Sequence, residues 1–442
     1  MGQVHEFDSN KRSASNQRSL IGCPLSITEK GLPSVLPTTA SRLPSAFNRL
    51  AWSNLAAQSA EQVGLAAAPI VAVLALGADA GETGLLQTAQ TLPFLLLSIP
   101  AGVLADRTSR RRLMASAEAL RAMSLIGILA LANLNLLTWR LLALLGFAGA
   151  CGTVVYGVAA PSLVPALVPP AALAAANGRI ELARTVAFAG GPALAGALVG
   201  WTGGAPAFGL AAALSTCAVF LLAGLNEPAR PALPPSHPLR DLGEGAGFVF
   251  RHPLLRPVFL TRVFFNTSFF ILQAVYVPYA VHRLGLSASG VGATLAAYGV
   301  GMVVGAVLAA RIIHVLPFGA VIAIGPVAGL AAAVVMVLTL WTPSILLAGL
   351  SFFLVGAGPI LYVIGTTTLH QTVTPRHLLG RVSAIYIMAY GSRPIGAAIG
   401  AFVGEIYGAE TCIGVAAVGF LIQALVILAS PVVRLARQPE MV

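Results

Sequence analysis

From about Phe47 onward the chain is a succession of apolar runs separated by short turns marked by polar residues, Pro or Gly. Each run has roughly 20 residues, enough to cross the ~30 Å hydrocarbon core of a bilayer as a helix. In lipid the backbone must satisfy its own hydrogen bonds, so open runs of this length can only be helices. They fall near residues 50–76, 84–104, 113–134, 139–162, 180–201 and 206–225, then 256–281, 290–313, 318–340, 344–367, 382–404 and 412–431. That predicts twelve transmembrane helices in two groups of six. Between the groups lies the longest internal polar stretch, Asn226 to Pro253, proline-rich at its start. Composition agrees: 57% of the 442 residues are hydrophobic and only 9% charged. Soluble domains carry roughly 25% charged residues, and disordered chains are poor in apolar ones. The expectation is an all-α, multi-pass membrane protein.

The net charge of +11 could suggest a nucleic-acid partner, so its placement matters. With the N-terminus inside, 20 of the 26 basic residues fall in the tail, in loops on that same side or at span boundaries on it, among them Arg107, Arg110, Arg111, Arg112, Arg179, Arg251 and Arg381. The other loops hold Arg140 and Arg283, and four arginines fall inside spans. This asymmetry is the positive-inside pattern, which places both termini in the cytoplasm and the chain in the cell (inner, cytoplasmic) membrane. No basic stripe interleaved with aromatics occurs in a soluble segment, so no nucleic-acid partner is expected. Residues 1–46 are polar, so no cleavable signal peptide is expected. Cys23, Cys151, Cys217 and Cys412 show no metal or redox spacing.

An internal repeat supports the six-plus-six division. Tyr156 to Pro169 aligns with Tyr362 to Pro375, and Asn177-Gly178-Arg179 followed by Gly191-Pro192 aligns with Leu379-Gly380-Arg381 followed by Arg393-Pro394. Repeated halves with a binding site at their interface are the plan of many secondary transporters.

Three motifs carry a resemblance. Gly102-Val-Leu-Ala-Asp106-Arg107-Thr-Ser109-Arg110-Arg111-Arg112 closes the second span. The glycine is read as allowing close helix packing, and the arginines as anchors to headgroups. Gly190-Gly191-Pro192-Ala-Leu-Ala195-Gly196 lies in the fifth span, and Asp241 to Arg256 precedes the seventh. The first resembles the loop signature between spans two and three of the major facilitator superfamily, with Ser109 where the family has Gly. The second is similar to that family's export-type element, with Ala195 for one Gly; a plain small-residue packing face with a Pro kink is the alternative. The third resembles a short interfacial helix found in exporters similar to the enterobactin exporter. The resemblance covers roughly residues 47–431. It implies a major facilitator fold of two pseudo-symmetric six-helix bundles, and a conformational latch formed by Gly102, Asp106, Arg107, Arg110 and Arg111. The expected parts are a cytoplasmic tail (1–46), a first bundle (47–226), a central loop with an interfacial helix (227–253), a second bundle (254–432) and a C-terminal tail (433–442).

Polar residues inside spans are costly and are therefore functional candidates. Asn54, Gln58 and Glu61 form one stripe on the first span, four and three residues apart. Glu61 lies about twelve residues in, ~18 Å along the axis. It is read either as a proton carrier or as a carboxyl fixed by a structural hydrogen bond. Arg262, Asn266 and Gln273 share a stripe on the seventh span with Tyr276 at its edge, and Tyr386, Tyr390 and Arg393 share one on the eleventh. Arg393 cannot shed its charge, so it needs a carboxylate, an anionic substrate group or backbone carbonyls. Glu118 with Arg121, and Glu181 with Arg184, sit three apart as same-helix charge pairs.

Neither a metal-binding histidine spacing nor a phosphate-binding Gly-x-x-x-x-Gly-Lys loop is present. An enzyme is therefore not expected, nor a metal or other cofactor; a proton gradient is the expected energy source. The expected function is efflux of a small organic molecule (drug, siderophore or metabolite) by proton antiport and alternating access, by a monomer whose partners are that substrate and the lipid bilayer. A proton-coupled importer and a non-transporting receptor or regulator are the alternatives.

Overall fold

The computed structural model describes residues 44–169, 172–227, 238–375 and 378–439. Nearly all of the N-terminal tail lies outside the described residues, as do Arg230, Arg376, residues 440–442 and the side chains of Asp106 and Asp241. Every regular element among the described residues is helical. The order is α1 (Ser45–Leu74), α2 (Ala80–Arg107), α3 (Arg110–Asn133), α4 (Trp139–Leu167), α5 (Leu173–Thr202), α6 (Gly204–Ala223), a short α7 (Pro238–Arg251), then α8 (Leu255–His282), α9 (Ala288–Val315), α10 (Phe318–Leu338), α11 (Ile345–Val373), α12 (Leu379–Met388) and α13 (Ser392–Leu428). A 3-10 turn at Ala389–Gly391 joins the last two.

Local chemistry starts these helices where the apolar runs begin. Asp79 accepts from the Glu82 amide at 2.8 Å while the Glu82 carboxylate accepts from the Asp79 amide at 3.3 Å, a capping box for α2. Ser109, Thr138, Ser287 and Ser344 cap α3, α4, α9 and α11 with their hydroxyls. The single residue between α5 and α6, Gly203, has φ of 86°, a turn that a side chain would strain. Several helices overrun the apolar runs. α5 begins at Leu173, and α11 continues to Val373 past the end of its run near 367. Hydropathy marks what the hydrocarbon demands, whereas helix α5 starts earlier, on residues such as Asn177 and Arg179.

Among the described residues ten helical stretches are long and apolar enough to cross a membrane, the last running from Leu379 to Leu428 over 50 residues. At ~1.5 Å per residue an unbroken helix of that length would be more than twice a bilayer core. The chain breaks instead at Gly408, where φ is 82° and ψ 166° inside α13.

Within the first part of the chain α1 packs on α5 and α6, α3 on α4 and α6, and α2 on α4. In the later part α8 packs on α13, α11 on α9 and α10, and α10 on α13. Two contacts dominate between these sets, α2 with α13 and α5 with α9. Both include close approaches of small residues, beside larger pairs such as Phe188 with Tyr298 and Phe94 with Arg393. A Cβ on Gly84 would collide with the Ala401 backbone, and one on Gly196 would sit 2.7 Å from Gly292 Cα. Without a hydrophobic drive between helices in lipid, close backbone approach is what holds such a seam. The seam lies at the end where α1 and α5 finish and α2 and α9 start.

The helix expected before the seventh span is α7. It is strongly two-faced: Val249 is buried, Gly245 lies against the backbone of Arg381, and Glu244 pairs with the Arg381 guanidinium. His252, just after it, is half-buried; its Nδ1 accepts from the Leu254 amide at 3.2 Å, and burial holds its imidazole below the usual histidine range.

Candidate functional site

Helices from both sets surround a cavity of about 410 Å³, within the size range of small-molecule sites. Four helix-interior prolines, Pro69, Pro192, Pro326 and Pro359, border it. Prolines free backbone carbonyls and bend helices, which lipid tolerates only inside a protein or beside a cavity.

Of the stripe on α1, Glu61 reaches the cavity. Asn54 does not: it is 3% exposed and its Nδ2 points at the Ile180 carbonyl, 3.5 Å away. Gln58 is half-buried and is not part of the lining. Glu61 is also joined to a charge the sequence reading assigned elsewhere. Arg121 forms its expected pair with Glu118, Nη1 to Oε1 at 2.8 Å, and its Nη2 lies 3.6 Å from Glu61 Oε2. The same guanidinium donates to the Ala57 carbonyl at 3.0 Å and to Thr153 Oγ1 at 2.7 Å, and Ser215 donates to Glu118 Oε2 at 2.8 Å. Four helices, α1, α3, α4 and α6, thus converge on one buried network of two carboxylates around one guanidinium. Sequence spacing could pair Glu118 with Arg121; it could not reveal a partner sixty residues away on another helix.

The opposite wall is built from α8, the 3-10 turn and the start of α13. Arg262, Asn266, Gln273, Tyr390 and Arg393 all line the cavity, as their stripes predicted. Asn266 binds the two elements together: its Oδ1 accepts from Arg393 Nε at 3.2 Å and its Nδ2 donates to the Arg262 carbonyl at 2.9 Å. The Arg393 guanidinium lies over three rings, Tyr390 at 4.2 Å, Phe94 at 5.0 Å and Phe270 at 5.4 Å. Arg262 lies over Tyr386 at 5.3 Å. Such placements are favourable electrostatically but leave the charge in place.

Two tyrosines predicted to face the cavity do not. Tyr276 is fully buried, donates to Thr294 Oγ1 at 2.5 Å and packs edge-on against Phe352. Tyr386 donates to the Leu255 carbonyl at 3.0 Å and stacks on His370, so it supports Arg262 from behind. Both lie on the right helices, but neighbouring helices cover that part of the surface, which a wheel drawn for one helix cannot show.

The lining also holds residues that were not singled out. Gln87, Gln90, Thr91 and Phe94 contribute one face of α2, and Gln423 comes from α13. Their spacing of three, one and three residues was the available signal. Arg184 reaches the cavity as well, held by both oxygens of Glu181 and lying over Phe188 at 5.5 Å.

At the start of α3 the arginine motif has a definite partner. Ser109 Oγ donates to Glu227 Oε2 at 2.5 Å, and the Arg110 and Arg111 amides donate to the same carboxylate at 3.1 Å each. Arg111 Nη1 also donates to the Leu225 carbonyl at 2.8 Å. A carboxylate at a helix N-terminus meets its free amides and its dipole. Glu227 was missed because it follows the sixth span rather than the motif. Ser109, which replaces the family's Gly, makes both a cap and a bond. Arg107 is exposed. Gly102 departs from expectation: a Cβ there would meet nothing within 4 Å among the described residues, so none of these packs closely on it. Gly191, Pro192 and Gly196 instead do pack closely, Gly191 against Gln62 of α1 and the other two against Gly292 of α9.

A known family accounts for this arrangement. The model of the transmembrane secretion effector family matches residues 47–440. The chain therefore belongs to that family, within the major facilitator superfamily and its efflux branch, and is a multi-pass membrane transporter. An uncharacterised major facilitator transporter of Sinorhizobium fredii is 30% identical over 72% of this chain and 79% of its own length. The enterobactin exporter of Citrobacter koseri is 28% identical, covering 64% and 67%. The multidrug efflux pump Tap of Mycobacterium tuberculosis is 26% identical over 51% of this chain and 56% of its own, so little more than half of that pump is matched. Among solved structures, a bacterial homologue of the iron transporter ferroportin in an inward-facing state superposes with a TM-score of 0.69 at 15% identity, over 87% of this chain and 98% of that one.

Proposed function

We propose that this protein is a secondary active exporter that moves a small organic molecule out of the cytoplasm by proton antiport. Counting α2 with the ten apolar stretches, and dividing the last at Gly408, makes twelve spans in two six-helix bundles. Both termini are then cytoplasmic, and the small-residue seam closes the outer end of the cavity, so the bundles face inward. The observation that carries the reading is the cavity itself, lined from both helix sets, with close glycine and alanine contacts between those sets toward one end. Efflux relatives support the outward direction.

Glu61 is the proton carrier in this reading. With Arg121 and Glu118 it makes a cluster that is neutral only when one carboxylate is protonated, and Glu61 is the one in contact with the cavity. Protonation frees Arg121 from Glu61, and loss of the proton restores the pair, so substrate and proton alternate. Asp106, with the arginines that follow it, would steady the outward-facing state.

A strain lacking the protein is screened for hypersensitivity and for metabolites it fails to export, and the compound found is tested in everted vesicles. Antiport is expected to release protons from the acidified lumen as substrate enters. Proton movement in the same direction as substrate would establish import instead, and no coupled flux would end the transport proposal. Glu61→Gln should abolish proton-driven flux while leaving substrate counterflow.

A further inference from the structure

We propose that the cavity takes an organic anion carrying a flat aromatic ring, a reading that rests on the transport function above for passage and on the cavity alone for binding. Charge counting leads to it. The lining holds four arginines, Arg121, Arg184, Arg262 and Arg393, and one acidic residue, Glu61. Arg121 is matched by Glu118 and Glu61, and Arg184 by Glu181. Arg262 and Arg393 have no carboxylate within 4 Å among the described residues; their partners are ring faces, the Asn266 side chain and, for Arg262, the Tyr362 hydroxyl. Each guanidinium offers five N–H donors in a planar fork suited to a carboxylate, sulfonate or phosphate. Two uncompensated cations inside a membrane protein are costly, and an anion between the bundles relieves both.

The surroundings specify the rest of the molecule. Phe94, Phe270 and Tyr390 present ring faces around Arg393, where a planar ring can stack beside the group that binds its charge. Gln90 and Gln423 are 5% and 1% exposed, border the cavity, and each has a buried amide atom with no hydrogen-bond partner among the described residues. Buried polar atoms are rarely left so; they supply hydrogen bonds for polar substituents on the ring. A cationic substrate would meet Arg262 and Arg393, and the only acid facing it among the described residues is already engaged with Arg121.

The test uses three ring-matched probes, naphthoate, naphthamide and naphthylmethylammonium, each radiolabelled, in equilibrium dialysis with the full-length protein in lipid nanodiscs. Naphthoate is expected to bind at least about tenfold tighter than either other probe, the size of one charge-assisted hydrogen bond. Arg393→Gln and Arg262→Gln should each bring it toward naphthamide, Arg393→Lys should keep part of the preference, and Arg140→Gln, outside the cavity, should keep all of it. No preference for the anion, or one that survives both glutamine variants, overturns the proposal. Counterflow in proteoliposomes separates the two readings. Naphthoate that binds without crossing overturns transport and leaves the anion site standing, whereas passage of naphthylmethylammonium alone overturns the anion site and leaves transport standing.

Discussion

On the α1–α3 side of the cavity Arg121 stands within 4 Å of two carboxylates, whereas on the α8–α13 side Arg262 and Arg393 rest on aromatic rings with none among the described residues. The first side can change its charge by a proton, because its acids outnumber its cation. The second cannot, because arginine keeps its charge and only something from outside can balance it. The two walls of the cavity thus differ in what can balance their charge. In the proposed cycle the cavity between them is where proton and ligand would exclude one another.

The contrast can be broken by four substitutions. The largest effect is expected from Glu61→Gln: pH-gradient-driven flux should vanish while counterflow persists, and normal driven flux would remove the proton role from that wall. Arg121→Gln comes next. It leaves Glu118 buried at 0% exposure without its cation, and breaking a buried pair this way costs about 3–5 kcal/mol, read as a lowered thermal midpoint in detergent. Arg393→Gln leaves no acid stranded, so it should cost only about 0.5–2 kcal/mol, the worth of its ring contacts. Equal losses for these two variants would mean that the walls do not differ as described. The smallest change is expected from Glu227→Gln, which weakens the anchoring of α3 by about 0.3–1 kcal/mol and should leave transport intact.

Much of this could be read from the sequence, and particular residues explain what could not. Apolar length marked the helices, and the positions of Arg262, Asn266, Gln273 and Arg393 along their helices marked one wall, because both follow from the geometry of a single helix. The Glu61–Arg121 pair could not be read, since α1 and α3 meet only in three dimensions. Tyr276 and Tyr386 were misplaced for the same reason: α9 and α11 cover the first, and α8 and α11 the second. Gly102 was read as a packing glycine, while the close packing occurs at Gly84, Gly196 and Gly292. A glycine in a motif and a glycine in an ordinary apolar run look alike until a neighbouring backbone is seen against one of them.

The seam of glycine and alanine between α2 and α13, and between α5 and α9, has an energetic consequence. Side chains with few rotamers lose little entropy when the seam shuts and regain little when it parts, and few directional bonds must break. The two arrangements can therefore lie close in free energy, and a bias of about 1.4 kcal/mol changes their ratio tenfold. Binding of one ligand, or movement of one proton, is enough to tip it. Bilayer thickness acts on the same small difference, since each ångström of mismatch with the surrounding lipid costs a fraction of a kcal/mol.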